Sequence, residues 1–320
     1  MMTLPDFIHK KMVFVFLNIG ARISFNNDNV IVKTKDDVTR LQMTCYQVFA
    51  LFIIGSFTLT TGIIQRSHKF AFPIFLMTGS FKVYDQIGHK MEGNVLLRRI
   101  QYAYDDIGYA KEIVKNKIKN QISVLKEIRS KSDELVSDIK KINNYLSQVD
   151  SLKGSIHELL GIEGNTAKSY FKHEFSNMNW KGRKPRAKLD FINATLDIGY
   201  TILFNFIDAL LRIYGFDTYC GVLHKEFYMR KSLVCDLVEP FRVLIDVQVK
   251  KSVNLGQFKE DDFSVINHEY RLDWKNNKKY ISLLAGALIE RQNEIFMYIQ
   301  SYYRFVMKRK SIENFPNFEW

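Results

Sequence analysis

GNVLLRRIQYAYDDIGYAKEIVKNKIKNQISVLKEI, residues 93–128, is where the grammar of the chain changes. Apolar residues fall at Ile100, Ala103, Ile107, Ala110, Val114, Ile118, Ile122, Leu125 and Ile128. Steps of three and four are the period of an amphipathic helix, with charged residues on the other faces. Ser130-Lys131-Ser132-Asp133 reads as a break and restart, and Leu135, Ile139, Ile142, Leu146 and Val149 resume the pattern. The spacing predicts helices packed onto a larger helical domain; a two-stranded coiled coil is the alternative.

Upstream of Gly93 the period shortens. Val13 to Leu17 is an apolar run, and Ile23-Ser24-Phe25 and Val30-Ile31-Val32 flank Asn26-Asn27-Asp28-Asn29, four residues suited to a hairpin turn. Phe49 to Ile54, Thr58 to Thr61 and Phe70 to Met77 continue the β-branched and aromatic pattern, with Pro73 marking an edge or a bulge. The expected fold is α+β: a β-rich, sandwich-like domain over residues 1–95, then a larger all-α domain over residues 96–320.

Composition narrows the function classes. Of 320 residues 47% are hydrophobic and 14% aromatic, which excludes a disordered chain. Cys45, Cys220 and Cys235 form neither a disulfide framework nor a CxxC metal pattern, so buried thiols in a reducing cytoplasm are expected. Val48 to Ile64 is the stretch to weigh as a membrane span, but Ser56, Gly55, Gly62 and a cluster of Thr interrupt it. It reads as core strands and a turn rather than a membrane span. The net charge of +12 favours a polyanionic partner, although a solubilising surface would give the same excess.

Two segments carry candidate chemistry. Glu163 sits in Gly161-Ile162-Glu163-Gly164-Asn165-Thr166-Ala167-Lys168-Ser169-Tyr170-Phe171, where small neighbours let a backbone or a phosphate approach the carboxylate. The second runs from His224 to Arg242, HKEFYMRKSLVCDLVEPFR. Asp236 and Glu239 share a face if Ser232 to Val249 is helical, and much of that helix is apolar. Carboxylates beside a core are costly unless paired or bound to a cation. Arg242, three residues beyond Glu239, offers an ordinary helical ion pair instead. His224 follows a buried-looking run and by itself reads as a core histidine. One imidazole with carboxylates suits Mg²⁺ or Mn²⁺ better than structural zinc.

Basic residues are clustered as well. Lys181, Arg183, Lys184, Arg186 and Lys188 crowd one loop beside Trp180, and Lys308-Arg309-Lys310 follows Tyr302-Tyr303-Arg304-Phe305. Such segments track phosphates and stack bases, or else form a solvated loop and tail beside core aromatics.

These motifs resemble the CRISPR adaptation integrase, CRISPR-associated protein one. The family string G-x-E-G-x-x-A-x-x-Y-F is matched by Gly161, Glu163, Gly164, Ala167, Tyr170 and Phe171. A histidine followed by S-L-x-x-D-L-x-E-x-F-R is matched by His224, Ser232, Leu233, Asp236, Leu237, Glu239, Phe241 and Arg242. Between them, Gly182-Arg183-Lys184-Pro185 leads into Asp190, Asn193, Ala194, Leu196, Gly199 and Tyr200. The chain departs at Phe227-Tyr228-Met229-Arg230-Lys231, where the family often has an Arg-Pro-Gly-Arg-Pro-like loop, and at Glu239-Pro240, where two acidic residues are common.

The resemblance implies a prokaryotic, cytoplasmic, metal-dependent enzyme with Glu163, His224 and Glu239 as catalytic metal ligands for Mg²⁺ or Mn²⁺, and Asp236 as an adjacent acidic residue or alternate ligand. It implies transesterification that joins the 3′-hydroxyl ends of short DNA fragments to the repeat boundary of a CRISPR array. The expected partners are double-stranded DNA with single-stranded ends, a homodimer built on the sandwich domain, and a small CRISPR-associated protein two dimer bridging two such dimers; no membrane is expected. A hydrolytic nuclease on branched DNA would use the same site with water. A basic, non-catalytic DNA-binding protein is the third alternative.

Overall fold

A computed structural model describes every residue except 1, 18–19, 58–60, 80, 90–92, 104–105, 179 and 225–227. The chain forms two compact units: Met1–Asn94 with Ala209–Gly215, and Val95–Asp208 with Phe216–Trp320.

The first unit contains α1 (Leu4–Ile8), β1 (Lys11–Leu17), β2 (Arg22–Asn26), β3 (Asn29–Lys33), β4 (Thr39–Thr44), β5 (Val48–Gly55), α2 (Thr61–Phe70), β6 (Pro73–Met77) and β7 (Val83–Gly88). β2, β3 and β4 make an antiparallel sheet; a second sheet has the order β1-β5-β6-β7, parallel except between β6 and β7. Val15, Ile23, Val30, Leu51, Ile63 and Ile74 draw both sheets and α2 into one core, hence the sandwich-like character. Asn27 and Asp28 both adopt positive φ, the twist-matched two-residue turn expected between β2 and β3. β5 is buried from Val48 to Ile54, as parallel strands covered on both faces are, which explains its continuous apolar run. On its other face Phe52 stacks with Phe14 at 4.6 Å and with Phe75 at 4.9 Å.

Two expectations upstream of Gly93 need correction. Of the strand expected at Thr58 to Thr61, residues 58–60 lie outside the described residues, and Thr61 opens helix α2. Burial of Ile63, Ser67 and Phe70 on one helical face overrides the β propensity of the Thr/Ile sequence. The run Phe70 to Met77 becomes a strand only at Pro73, in an interior position of the sheet. Proline is tolerated there as the first strand residue, and the register shift lies at the other end, between Leu76 and Met77.

The second unit contains α3 (Val95–Tyr102), α4 (Ile107–Glu127), α5 (Asp133–Ser151), α6 (Ile156–Glu174), α7 (Phe191–Tyr214, its last turn grouped with the first unit), α8 (Ser232–Val238), α9 (Arg242–Asn254), the hairpin β8 (Phe263–Ile266) and β9 (Glu269–Leu272), α10 (Asn277–Glu290) and α11 (Gln292–Met307). The helical period is interrupted before Ile107, where the Asp106 carboxylate caps α4 by accepting from Gly108 N–H at 2.7 Å. Ser132 caps α5 at the expected restart. α4 packs on α5, on α6 and on the turn Glu239–Phe241, so it is the central helix of a bundle rather than one strand of a coiled coil. The short β8–β9 hairpin is an addition to the expected all-α unit. α7 is long and apolar enough to cross a membrane, but 78% of its most apolar window is buried, which marks it as a core helix.

Gly199 of α7 permits a close approach of α9. A Cβ there would stand 2.4 Å from Ile245 Cγ2 of α9. Overpacking costs roughly 1–3 kcal/mol, whereas replacing a helical glycine with alanine returns only about 1 kcal/mol. Gly199→Ala is therefore expected to lower the urea midpoint, and Ile245→Ala in the same chain to lower it by less than the sum of the two single effects. Simple additivity in the double-mutant cycle would show that α7 and α9 do not meet at this position.

Candidate metal centre

The site is built from four elements of the helical unit. Glu163 lies on α6, on the stripe that carries Leu159, Thr166 and Tyr170 into the core. Glu239 follows α8 in a single 3₁₀ turn, Glu239–Phe241. Pro240, which has no N–H for a continuous α-helical ladder, accounts for that break, so the expected helix from Ser232 to Val249 is divided in two. His224 stands in the loop before α8. The fourth element is α4, which supplies Lys117.

Lys117 was not among the residues singled out by motif. Its ammonium donates to Glu163 Oε1 and, at 2.5 Å, to Glu239 Oε2. Only 8% of the Lys117 side chain is exposed. Glu239 also accepts from Arg242 Nη1 at 3.3 Å, so the helical ion pair weighed as an alternative is present too. Burial pushes the Glu239 carboxyl up, but Lys117 and Arg242, with a smaller contribution from His224, outweigh it and hold the group down at about 2. Glu163 and Glu239 thus meet on Lys117, and His224 is near enough to Glu239 to help hold its carboxyl down.

Asp236 does something different from a ligand. Its two oxygens accept from the backbone N–H groups of Val222, Leu223 and His224 and from His224 Nδ1, at 2.6–3.0 Å. The carboxylate is completely buried and shapes the histidine loop, the position of an acidic residue adjacent to the proposed ligands. With Nδ1 donating to Asp236, the lone pair of the imidazole is on Nε2. Gly221 is required for this seat: a Cβ would come within 2.7 Å of Asp236 Oδ2 and 2.8 Å of the Ser232 backbone.

The donor set fits a hard divalent ion. Two carboxylates from separate elements meet on one cationic centre, and an oriented imidazole completes the type of ligand set that Mg²⁺ and Mn²⁺ accept. Among the described residues no three His, Cys, Asp or Glu side chains are arranged to hold a metal, and the Lys117 ammonium is at the point where the two carboxylates meet.

Behind the centre runs a polar seam between α6 and α9. The Tyr200 hydroxyl donates to Asp246, Arg242 stacks over the Tyr200 ring at 4.0 Å, and Lys250 pairs with Glu174 at 3.0 Å. Burial raises the Asp246 carboxyl to about 6, against the pull of Tyr200 and Arg242, and raises Glu174 to about 7, against Lys250.

The basic segments divide. Lys181, Lys184 and Arg186 are exposed and Lys188 is half-buried. Arg183 is not a surface cation: it donates to Asp197 Oδ1 at 2.5 Å and to Asn193 Oδ1 at 3.0 Å. Asn193 and Asp190 bond each other and, through Lys184 N–H and Trp180 Nε1, pin the loop to the start of α7. Near the C-terminus, Tyr302 and Phe305 are buried against Phe315, so they are core aromatics rather than base-stacking surfaces. Lys308, Arg309 and Lys310 are exposed.

Comparison with known proteins bears on this geometry. A family model described as CRISPR associated protein Cas1 matches residues 14–285. A CRISPR-associated endonuclease Cas1 of Thermodesulfovibrio yellowstonii is 29% identical over 264 residues, covering 77% of this chain and 82% of that protein. Among solved structures, a Cas6-RT-Cas1–Cas2 complex superposes with a TM-score of 0.80 at 22% identity, over 97% of this chain and 36% of the larger one. A casposase bound to its integration product gives 0.76 at 19% identity, over 94% and 92% of the two chains. Both likenesses are of fold.

The seam generates a pH signature. Asp246 and Glu174 bind protons more tightly folded than unfolded, so their contribution is complete below the ordinary carboxylate range and is lost as pH rises through about 6 and 7. Glu239 has the opposite sign: its contribution is present above the ordinary range and is lost as pH falls toward about 2. The urea midpoint is expected to fall between about pH 4.5 and pH 7.5, and the pair Asp246→Asn with Glu174→Gln to flatten that slope. An unchanged slope in the double variant would remove the seam as its cause.

Proposed function

From the premise that the chain belongs to the CRISPR-associated Cas1 family, we propose that it is the metal-dependent integrase of CRISPR spacer acquisition. Its substrates are short DNA fragments, whose 3′-hydroxyl ends it joins to the repeat boundary of a CRISPR array. The observation that carries this reading is the convergence of Glu163 and Glu239 on one buried cationic point, beside a histidine oriented by Asp236. The fold shared with a casposase bound to its integration product supports transfer chemistry.

In this reading Glu163, Glu239 and the Nε2 of His224 hold Mg²⁺ or Mn²⁺. A divalent ion at such a site neutralises non-bridging phosphate oxygens and lowers the pKa of an attacking hydroxyl. Glu239 stays ionised at every working pH, because Lys117 and Arg242 outweigh its burial. Asp236 keeps the imidazole in the tautomer that offers Nε2 outward. Gly161 and Gly164 flank Glu163 with open space beside each, which leaves room for a DNA backbone. In the reaction the 3′-hydroxyl oxygen forms the new bond to phosphorus, the bridging P–O bond of the repeat breaks, and its oxygen leaves as the new 3′-hydroxyl.

The partners follow from the same reading. DNA with single-stranded ends lies along Lys181, Lys184 and Arg186. The unit that includes residues 1–94 mediates a homodimer, for which exposed Ile8, Val38, Tyr46 and Tyr84 supply apolar surface. A small CRISPR-associated protein two dimer bridges two such homodimers; the fold shared with the Cas1 part of a Cas6-RT-Cas1–Cas2 complex supports a Cas2 partner. A hydrolytic reading is favoured by one observation, that the Thermodesulfovibrio relative is named an endonuclease. The same site would serve, with water replacing the 3′-hydroxyl.

Glu163→Ala is expected to abolish covalent strand transfer to a repeat-containing target while leaving homodimer mass and DNA affinity near wild type. Integration at the wild-type rate would remove Glu163 from the catalytic centre. Products of shorter strands with no elongated one would make the enzyme a hydrolase. Phe75, completely buried, is unsuitable for probing the dimer, because a charge there unfolds the sheet.

The loop has its own test. Replacing Lys181 and Arg186 with Ala is expected to weaken binding to all DNA sequences alike and to reduce the slope of log K against log salt by about 1–2. Arg183→Ala should instead loosen the loop, because Asp197 and Asn193 lose their partner. A salt slope unchanged by the double substitution would make this loop ordinary solvated surface.

A further inference from the structure

Lys117 is a buried cation at the place where the proposed ligands meet. We propose that its ammonium is a built-in counter-cation of the metal centre, which holds Glu163 and Glu239 together in the metal-free protein and is displaced when a divalent ion takes their oxygens. The inference rests on the assignment of Glu163, His224 and Glu239 as metal ligands.

Three observations carry it. The first is competition for the same oxygens. Lys117 donates to Glu163 Oε1 and Glu239 Oε2, and the remaining oxygen of Glu239 accepts from Arg242. Both oxygens of Glu239 are therefore already taken, so a cation bound by both carboxylates has to share or take a Glu239 oxygen from Lys117 or from Arg242. Binding is an exchange, not an addition.

The second is charge. Glu163 and Glu239 carry two negative charges, and Lys117 and Arg242 carry two positive ones, so this cluster is neutral without a metal. A divalent ion entering beside both cations would leave it at +2, in a place where Lys117 and Glu239 are each only 8% exposed. Repulsion between cations a few ångströms apart in such a medium is large.

The third is freedom to move. Arg242 is clamped between Glu239 and the Tyr200 ring at 4.0 Å. Lys117 has only the two carboxylates as side-chain partners among the described residues, at the end of a flexible four-carbon stem. Of the two cations, Lys117 is the one that can withdraw. Until it does, the two carboxylates are held together at the centre. A purely structural ion pair makes the opposite forecast for the lysine variants, since its loss would disorganise the ligands and weaken metal binding.

The test is a Mn²⁺ titration of the full chain at neutral pH by calorimetry, with thermal melts alongside. Wild type, Lys117→Met, Lys117→Gln, Lys117→Arg and Glu163→Gln are compared. Lys117→Met and Lys117→Gln are expected to bind Mn²⁺ at least ~10-fold more tightly than wild type, because the competing charge is gone. Mn²⁺ should also raise their melting temperatures more than that of wild type. Lys117→Arg keeps the charge and should bind no more tightly than wild type.

Wild-type or weaker affinity in both neutral variants would overturn the inference while leaving the metal site intact. If those variants fold only when Mn²⁺ is present, the ion and the ammonium are interchangeable, which supports it; failure to fold even in saturating Mn²⁺ overturns it. Glu163→Gln separates the two levels. Its loss of Mn²⁺ binding upholds the ligand assignment whatever the lysine variants do. Mn²⁺ binding by none of the proteins would reject that assignment and the inference with it.

Discussion

A lysine ammonium buried between two glutamates is the interaction on which the helical unit depends. Removing one partner from a buried ion pair leaves an uncompensated charge and costs roughly 3–5 kcal/mol. Here one ammonium serves two carboxylates from different elements, α6 and the Glu239 turn, so it ties α4 to both. Other polar residues of α4 fix the elements around it. Asn120 donates to the Pro240 carbonyl at 3.0 Å and fixes the turn that aims Glu239. Asn116 exchanges bonds with Phe318, and Trp320 N–H donates to Asn120, so the chain's last residues close over the same helix.

This explains why α4 carries Asn116, Lys117, Asn120 and Gln121 in its interior despite its amphipathic spacing. A bundle helix with one apolar stripe needs only its apolar residues inside. α4 is surrounded, and the bonds made by Asn116, Lys117 and Asn120 set the positions of the functional carboxylates. Structure and chemistry share the same side chains there.

The two acidic residues near α8 show how little sequence spacing says about role. Asp236 and Glu239 are three apart and looked like a pair on one face. The Pro240 turn and the Gly221 loop give them separate tasks. Asp236 organises three backbone N–H groups and an imidazole, whereas Glu239 faces a lysine 122 positions away in sequence. Likewise Arg183 and Lys184 are neighbours in a basic cluster, yet one guanidinium is spent on Asp197 while the other side chain is exposed. Charge counts cannot separate them, because burial of a loop arginine depends on which carboxylate the fold brings beneath it.

Local periodicity determined the order of the architecture: alternating and β-branched runs before Gly93, helical spacing after it, the Asn27–Asp28 turn and the Ser132 restart. Each is set by contacts within a few residues, and that range is where sequence pattern and backbone geometry correspond. Residue chemistry and motif order also pointed to Glu163, His224 and Glu239. Tertiary structure alone decided that α2 is a helix, that Asp236 holds the histidine loop, that Arg183 is internal, and that Lys117 stands between the two glutamates. Those outcomes depend on charges and core faces that meet only when segments 46 and 122 residues apart are folded together, since the free energy of a buried charge is set by its neighbours in space.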